Sequence, residues 1–402
     1  MSGLHRVLLV AFVAGLGFSI TLSESALAML SALWLWRLGT PGGRARAAWP
    51  LAAPVAAFAA ATLLSAALSG HPAESLRAAK DLLLALALYV TADGLPDADG
   101  ADRFLSALAL VAAAAAAMGL LQVGLCPRAE PAAGLARWFF HRCDRARGPF
   151  SIYMTLAGVL NIVLLATAPR LLAAGRRWAG PAWLITLAGL AATLTRGAWI
   201  GLVAGVLTLL PTSRRGRWLL LGILLAAVAT AVIGPAALRQ RVVSMSDAQD
   251  PTVREREYMW QSGVAMWREH PLLGWGPGGV KREYSRFVMP GAVKTRTGHL
   301  HNVPLQILVE RGALGLAAWM SIWLAFYARV LPLLRSTPLP GRERALITGS
   351  VAALTGFLVA GLSENNFGDS EVALVAWTVV ALPFAVERAR ALGAAAPSQY
   401  TT

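Results

Sequence analysis

Charge is scarce in this chain. Asp, Glu, Lys and Arg make up 14% of its 402 residues, against about a quarter in an ordinary soluble domain. That shortage excludes a conventional soluble fold. Cysteine is scarcer still, with only Cys126 and Cys143, and no Cys/His metal pattern can be drawn from the sequence. Acids are also short, 21 against 36 Lys and Arg. No period of 20–50 residues signals a solenoid, and neither a Walker loop nor a dinucleotide fingerprint occurs.

Apolar sequence fills the space. Hydrophobic residues are 56% of the chain, and Ala/Leu/Val runs recur from end to end. The expectation is an all-α polytopic membrane protein, one transmembrane domain over 1–402 with a large external loop at 238–302. The first apolar run, Val7 to Leu22, follows His5-Arg6 and could be a signal peptide. No small-x-small cleavage site leads into soluble sequence, and the next run starts directly after Ser23-Glu24-Ser25, so it reads as a retained first helix.

The runs predict about twelve transmembrane helices, at 7–21, 24–37, 48–68, 76–92, 104–124, 150–169, 181–195, 198–211, 218–237, 303–330, 345–362 and 372–388. An even number puts both termini on one side. Arg37, Arg44 and Arg46, Arg170, Arg176 and Arg177, Arg214, Arg215 and Arg217, Arg335, Arg342 and Arg344, and Arg388 and Arg390 all fall on that side, which makes it cytoplasmic. The outer loops are basic too. Segment 125–149 carries five Arg (128, 137, 142, 145, 147) against Glu130 and Asp144, and 238–302 carries ten Lys or Arg against six acids. A solvated surface would explain any one of them. Their gathering on one face points to an anionic substrate. Cys126 and Cys143 share the first of these loops and are expected to bond if that side is oxidising, with free thiols as the alternative.

Chemistry concentrates around His301. Asn302 is a good N-cap and Pro304 suits a first helical turn. His301 then sits beside the positive end of a helix dipole, which disfavours imidazolium and suits a general base. Gly312 and Gly315 are expected one turn apart on a face that a neighbouring helix approaches closely. Eleven helical residues from His301 to Gly312 would span about 16 Å. His299 rivals His301 on spacing alone, and either could be a structural histidine. Arg196, in the short turn Thr195-Arg196-Gly197-Ala198-Trp199, reads as a snorkelling anchor or as an outward phosphate ligand. Arg77, Lys80, Arg145, Arg147, Arg254 and Arg256 recur on the same side. Residues from Arg254 to Trp267 form an amphipathic helix expected to lie on the membrane surface. Trp260, Trp267 and Trp275 would be interfacial anchors or sugar-stacking platforms. Asp97-Ala98-Asp99 matches a metal-binding Asp-x-Asp weakly, but falls on the cytoplasmic side and reads as a solvated turn.

Taken in order, these pieces resemble the bacterial O-antigen ligases of the wider ligase and polymerase family. The motifs are Thr195-Arg196-Gly197-Ala198-Trp199, Arg256-x3-Trp260, His270-Pro271-Leu272-Leu273-Gly274-Trp275-Gly276-Pro277-Gly278 and His301-Asn302-x9-Gly312-x2-Gly315. Ile200 stands where the family often has Leu. The resemblance implies a GT-C-like, metal-independent, inverting glycosyltransferase of the bacterial inner membrane, without a cofactor or a nucleic-acid partner. It would move O-polysaccharide from undecaprenyl pyrophosphate to lipid A–core oligosaccharide at the periplasmic face. By the matching motifs His301 would be catalytic, and Arg196 and Arg256 would hold the donor diphosphate. Arg147 and Lys80 join them by position and charge. An O-antigen polymerase, a protein O-glycosyl ligase and an anion transporter are the competing readings. A transporter would show interrupted helices at the midplane and internal repeats.

Overall fold

The computed structural model describes residues 3–127, 134–172, 179–211, 214–244, 247, 249–336 and 338–395. Arg128, Glu130, Arg176 and Arg177 lie outside them. The described chain is helical, without strands. The first helices are α1 (Gly3–Phe18), α2 (Ile20–Leu38), α3 (Pro41–Arg46), α4 (Ala52–Ala67), α5 (Pro72–Ala78) and α6 (Leu86–Gly94). Then come α7 (Ala98–Gly124), α8 (Gly134–Phe140), α9 (Tyr153–Leu172), α10 (Ala179–Ala192), α11 (Arg196–Leu207) and α12 (Arg214–Ile233). The rest are α13 (Ala236–Val243), α14 (Pro251–Glu269), α15 (Gly279–Glu283), α16 (Val303–Ser336), α17 (Gly341–Ala360) and α18 (Ser370–Ala395).

A helix lies over every predicted apolar run. Five of them, α7, α9, α16, α17 and α18, are long and apolar enough to cross a bilayer, and α1, α4, α10 and α11 are apolar but shorter. The protein is an all-helical membrane protein. Its core centres on α9, which packs against α7, α10, α11, α17 and α18. Leu156, Leu160, Leu164 and Leu165 of α9 are fully enclosed.

Two runs differ from the sequence reading. The stretch 76–92 is not one helix. It is α5, then a 3₁₀ segment Ala79–Ala85, then α6. The tenth run breaks at Gly312, whose φ of 64° and ψ of −170° interrupt α16, so the helix begun at Val303 ends just before Gly312 and a second one follows it. Gly312 and Gly315 do not form a shared contact face. A Cβ at Gly312 would lie 2.1 Å from the Leu272 carbonyl, and one at Gly315 would meet the Arg311 Cβ at 2.2 Å.

The break is stitched by the Gly/Pro-rich loop after α14. It leaves the Val309 and Glu310 carbonyls and the Ala313 and Leu314 N–H groups without helical partners. Trp275 N–H donates to Val309 at 3.0 Å, and the Ala313 and Leu314 N–H groups donate to Pro271 and Leu272 at 2.9 and 3.3 Å. The Ser65 hydroxyl of α4 donates to the Glu310 carbonyl at 2.9 Å. These four groups all find partners outside the helix, which offsets the bonds the break removes.

A second, smaller core supports this loop. Met259 and Met266 of α14 pack with Val280, Tyr284, Leu300 and Val309. Trp260, Trp267 and Trp275 line it and donate their indole N–H groups to the carbonyls of Leu300, Pro271 and Met266 at 3.0, 3.1 and 2.8 Å. Cys126 and Cys143 are bonded. Asp97 caps α7 through Gly100 N–H at 2.6 Å and Asp99 pairs with Arg342, so both acids of Asp-x-Asp have structural partners.

Candidate functional site

Asn302 starts α16 as the sequence suggests. Its Oδ1 accepts Leu305 N–H at 2.9 Å, and its Nδ2 donates to the Leu362 carbonyl at 3.0 Å. The Val303 N–H is taken by the Gly361 carbonyl at 2.7 Å, and Pro304 has none to satisfy. These bonds tie the start of α16 to the α17–α18 loop. His301, one residue earlier, adopts a left-handed backbone with φ 49°, a conformation that His tolerates better than most residues. The Leu300 N–H beside it donates to Gln306 Oε1 at 2.9 Å, and Gln306 in turn donates to Glu310 at 2.9 Å.

The turn aims the His301 ring at Glu364. His301 Nδ1 stands 3.6 Å from Glu364 Oε2, and Arg256 of α14 grips the other oxygen, Oε1, at 2.8 Å. Nδ1 and Glu364 Oε2 are both shut away from solvent and face each other just beyond hydrogen-bond distance. Among the described residues Nε2 has no partner. Glu364 is itself buried. Burial alone would raise its carboxyl, but the His301 contact and the Arg256 charge win and hold it below the usual carboxylate value. The His299 ring meets His301 edge-on with centroids 4.3 Å apart. Burial, then the His301 and nearby cationic charges, push His299 down to about 4 against the Glu364 charge.

Arg196 opens α11 beside this cluster. A Cβ at Gly197 would lie 3.0 Å from Glu364 Cγ, so glycine permits the close approach of α11 to the Glu364 loop. Arg196 is buried rather than snorkelling, 7% exposed. It grips both oxygens of Asp250 at 3.3 and 3.2 Å and the Ser244 carbonyl at 2.8 Å. Asp250 also caps α14 through Thr252 N–H at 2.8 Å. Those bonds overcome burial and hold Asp250 down at about 2.

The other two expected residues stand apart from that arrangement. Arg147 is buried and donates to the carbonyls of His141 and Phe150 at 3.0 and 2.8 Å and to that of Trp138. Its guanidinium braces its own loop. Lys80 is exposed on the 3₁₀ segment, without a partner among the described residues. Its neighbour Asp81 borders a cavity of about 230 Å³ together with Phe58, Gly298, Val303, Glu310 and Arg311. Thus His301, Arg256 and, through Gly197, Arg196 converge, whereas Arg147 and Lys80 do not contact them.

Glu364 was missed in the sequence. Its signal was an acid in a short polar loop between two apolar runs on the same side as His301, and only folding shows that it faces the histidine. No curated protein matches the chain. Residues 181–320, from α10 into α16, match the sequence profile of a family described as O-antigen ligase. The matched stretch, about a third of the chain, contains Arg196, Arg256 and His301.

Proposed function

We propose that this protein is an O-antigen ligase, transferring a completed O-polysaccharide from undecaprenyl pyrophosphate to lipid A–core oligosaccharide at the periplasmic face of a bacterial inner membrane. The observation that carries the reading is the His301–Glu364–Arg256 chain. A carboxylate fixed by an arginine faces Nδ1 at 3.6 Å, close enough to stabilise an imidazolium, and leaves Nε2 for the acceptor, the base-and-orienter logic of other histidine bases.

In this reading Nε2 takes the proton of an acceptor hydroxyl as its oxygen attacks the anomeric carbon of the donor. The new C–O bond forms as the bond to the diphosphate oxygen breaks, and undecaprenyl pyrophosphate leaves with the electron pair. Inversion follows from attack opposite the leaving group. Proton removal by a positioned base contributes about 10²–10⁴-fold. The leaving diphosphate gathers charge, and fixed guanidinium groups stabilise it without a metal. Arg256 spends one Nη on Glu364 and keeps other donors for a phosphate. Arg196 is nearly consumed by Asp250 and Ser244, so in this reading it engages donor by sharing or releasing Asp250. Arg147 shapes its own loop, and Lys80 stands outside the His301 cluster.

The test is an in vitro transfer with lipid-linked glycan and lipid A–core, with and without EDTA, using the wild type and His301→Asn. Asn tolerates the left-handed backbone, so this variant is expected to fold while transferring at least about 10²-fold more slowly. Joining of two lipid-linked units instead would make the protein a polymerase. Normal transfer by the folded variant would remove His301 as base, and loss of wild-type transfer with EDTA would remove the metal-free step.

A further inference from the structure

Glu310 is a buried acid in a helix apolar enough to cross a bilayer. An ionisable group in such a place is expensive and needs partners. The break in α16 does not require its side chain. The backbone groups freed there already meet Trp275, Ser65, Pro271 and Leu272. The Glu310 side chain instead faces two ways. Its Oε2 pairs with Arg311 at 3.1 Å, and Arg311 is tied to α4 through the Thr62 hydroxyl at 3.2 Å. Its Oε1 accepts the Gly278 N–H at 3.0 Å and the Gln306 amide N–H at 2.9 Å.

The bond to Gln306 leads towards His301. Gln306 lies four residues before Glu310, so the two side chains stand on one helix face. The Gln306 amide oxygen reaches back past the Asn302 cap and accepts the Leu300 N–H at 2.9 Å. Leu300 is fully enclosed, and an enclosed N–H needs an acceptor. Its carbonyl is held as well, by the Trp260 indole N–H at 3.0 Å. An amide suits the place between these neighbours, because its oxygen meets a donor and its nitrogen an acceptor. Glu310 thereby sets which way the Gln306 amide points. His301 follows directly, with a left-handed backbone at φ 49°, a conformation that persists where the surroundings over-determine it. Leu300 is fixed on one side of it, and Asn302, bonded to the Leu362 carbonyl, on the other.

We propose that Glu310, acting through Gln306, is a positioning residue for His301: the pair locks Leu300 and so the turn that sets the imidazole against Glu364. Its part in transfer rests on the reading of His301 as base, whereas its hold on Leu300 does not.

The experiment uses full-length protein in nanodiscs as Gln306→Glu, Glu310→Gln and the double swap of both. Hydrogen exchange resolved to the Leu300 amide reads the hold. The kcat and KM of transfer from lipid-linked glycan to lipid A–core read its effect. Gln306→Glu sets two carboxylates face to face. It is expected to speed Leu300 exchange and lower kcat, each about tenfold, the loss of roughly one buried hydrogen bond, with both KM values unchanged. Glu310→Gln keeps an acceptor for both N–H groups and is expected to lose less. The double swap rebuilds the relay with its direction reversed. The new carboxylate accepts from Leu300 and from the new amide, whose oxygen takes the Gly278 N–H. Exchange and kcat are expected to return to the level of Glu310→Gln, the sign of direct coupling in a double-mutant cycle. Unchanged Leu300 exchange in Gln306→Glu overturns the hold. A kcat loss that the double swap does not recover overturns the relay. A lowered Tm with the kcat of the folded protein unchanged makes the pair structural only and overturns the proposal. Gln306→Met, close in size and without these hydrogen bonds, carries the exchange and kcat comparison if Gln306→Glu misfolds. Wild-type protein that transfers nothing fails the ligase reading alone, since Leu300 exchange still judges the hold.

Discussion

His299 and His301 share one turn but not one environment. His301 faces a carboxylate, whereas His299 is buried beside another histidine and held at about 4. Between pH 6.5 and 4 the unfolded chain therefore protonates His299 and the folded chain does not. Binding more protons in the unfolded state means that stability falls as pH falls through this window, by about 1.4 kcal/mol per unit. Glu364 acts in a lower window. Its depressed carboxyl contributes stability that is present above 4.5 and lost as pH drops through its lowered folded value. Thermal unfolding from pH 7 to 4.5 should show a falling midpoint for the wild type and a flatter profile for His299→Asn. Equal slopes in the two proteins would mean that His299 is not held neutral. The base candidate itself was legible because His301 precedes a cap residue and a proline. Its orienting partner was not, because Glu364 lies 63 positions further on and nothing in its neighbourhood specifies which loop it meets.

At the scale of elements, the decisive feature is the break in α16. Only Glu310 and Arg311 interrupt an otherwise apolar run there, so a continuous helix with a glycine face was the natural reading. The actual role of Gly312 depends on the Leu272 carbonyl pressing against its Cα, a long-range contact that periodicity cannot encode. The motif His270 to Gly278 is the other half of this device, which explains why a loop so rich in Gly and Pro packs against α16. Gly312→Ala places a Cβ on the Leu272 carbonyl in a backbone region that is essentially restricted to glycine. The strain alone costs about 1–3 kcal/mol, and the clash adds to it. The expected outcome is a lowered unfolding temperature and faster protease cleavage within 271–278. Wild-type values for both would show that the loop does not depend on the break. The cap Asn302 and the extents of most helices follow from local residue chemistry and were readable in advance, whereas the caps Asp97 and Asp250 were not read as such. The 3₁₀ segment at Ala79–Ala85 was not readable, and nothing in the structure explains it.

Across the whole molecule the charges separate along the helices. At one end Asp93 meets Arg388 at 3.0 Å and Arg37 at 3.9 Å, Asp102 meets Arg170 at 2.5 Å, and Glu343 meets Arg390 at 2.8 Å. These are arginines that the sequence gathered on one side. Gln122, at the far end of α7, is bonded to Gly148 in the disulfide loop. The 27 residues of α7 span about 40 Å at 1.5 Å each, which is enough to separate the two ends by a bilayer. The disulfide end thus shares its side with Arg196 and His301. If the paired-arginine end is cytoplasmic, the disulfide lies in the oxidising compartment where such bonds persist. The bonded cysteines do not react with maleimide, so single new cysteines can be read in the otherwise native chain. Thr295→Cys should label with an impermeant maleimide in intact spheroplasts, and Thr40→Cys only after permeabilisation. The opposite pattern would invert the protein in the membrane. His301 would then face the cytoplasm, and a periplasmic ligase reaction would be ruled out.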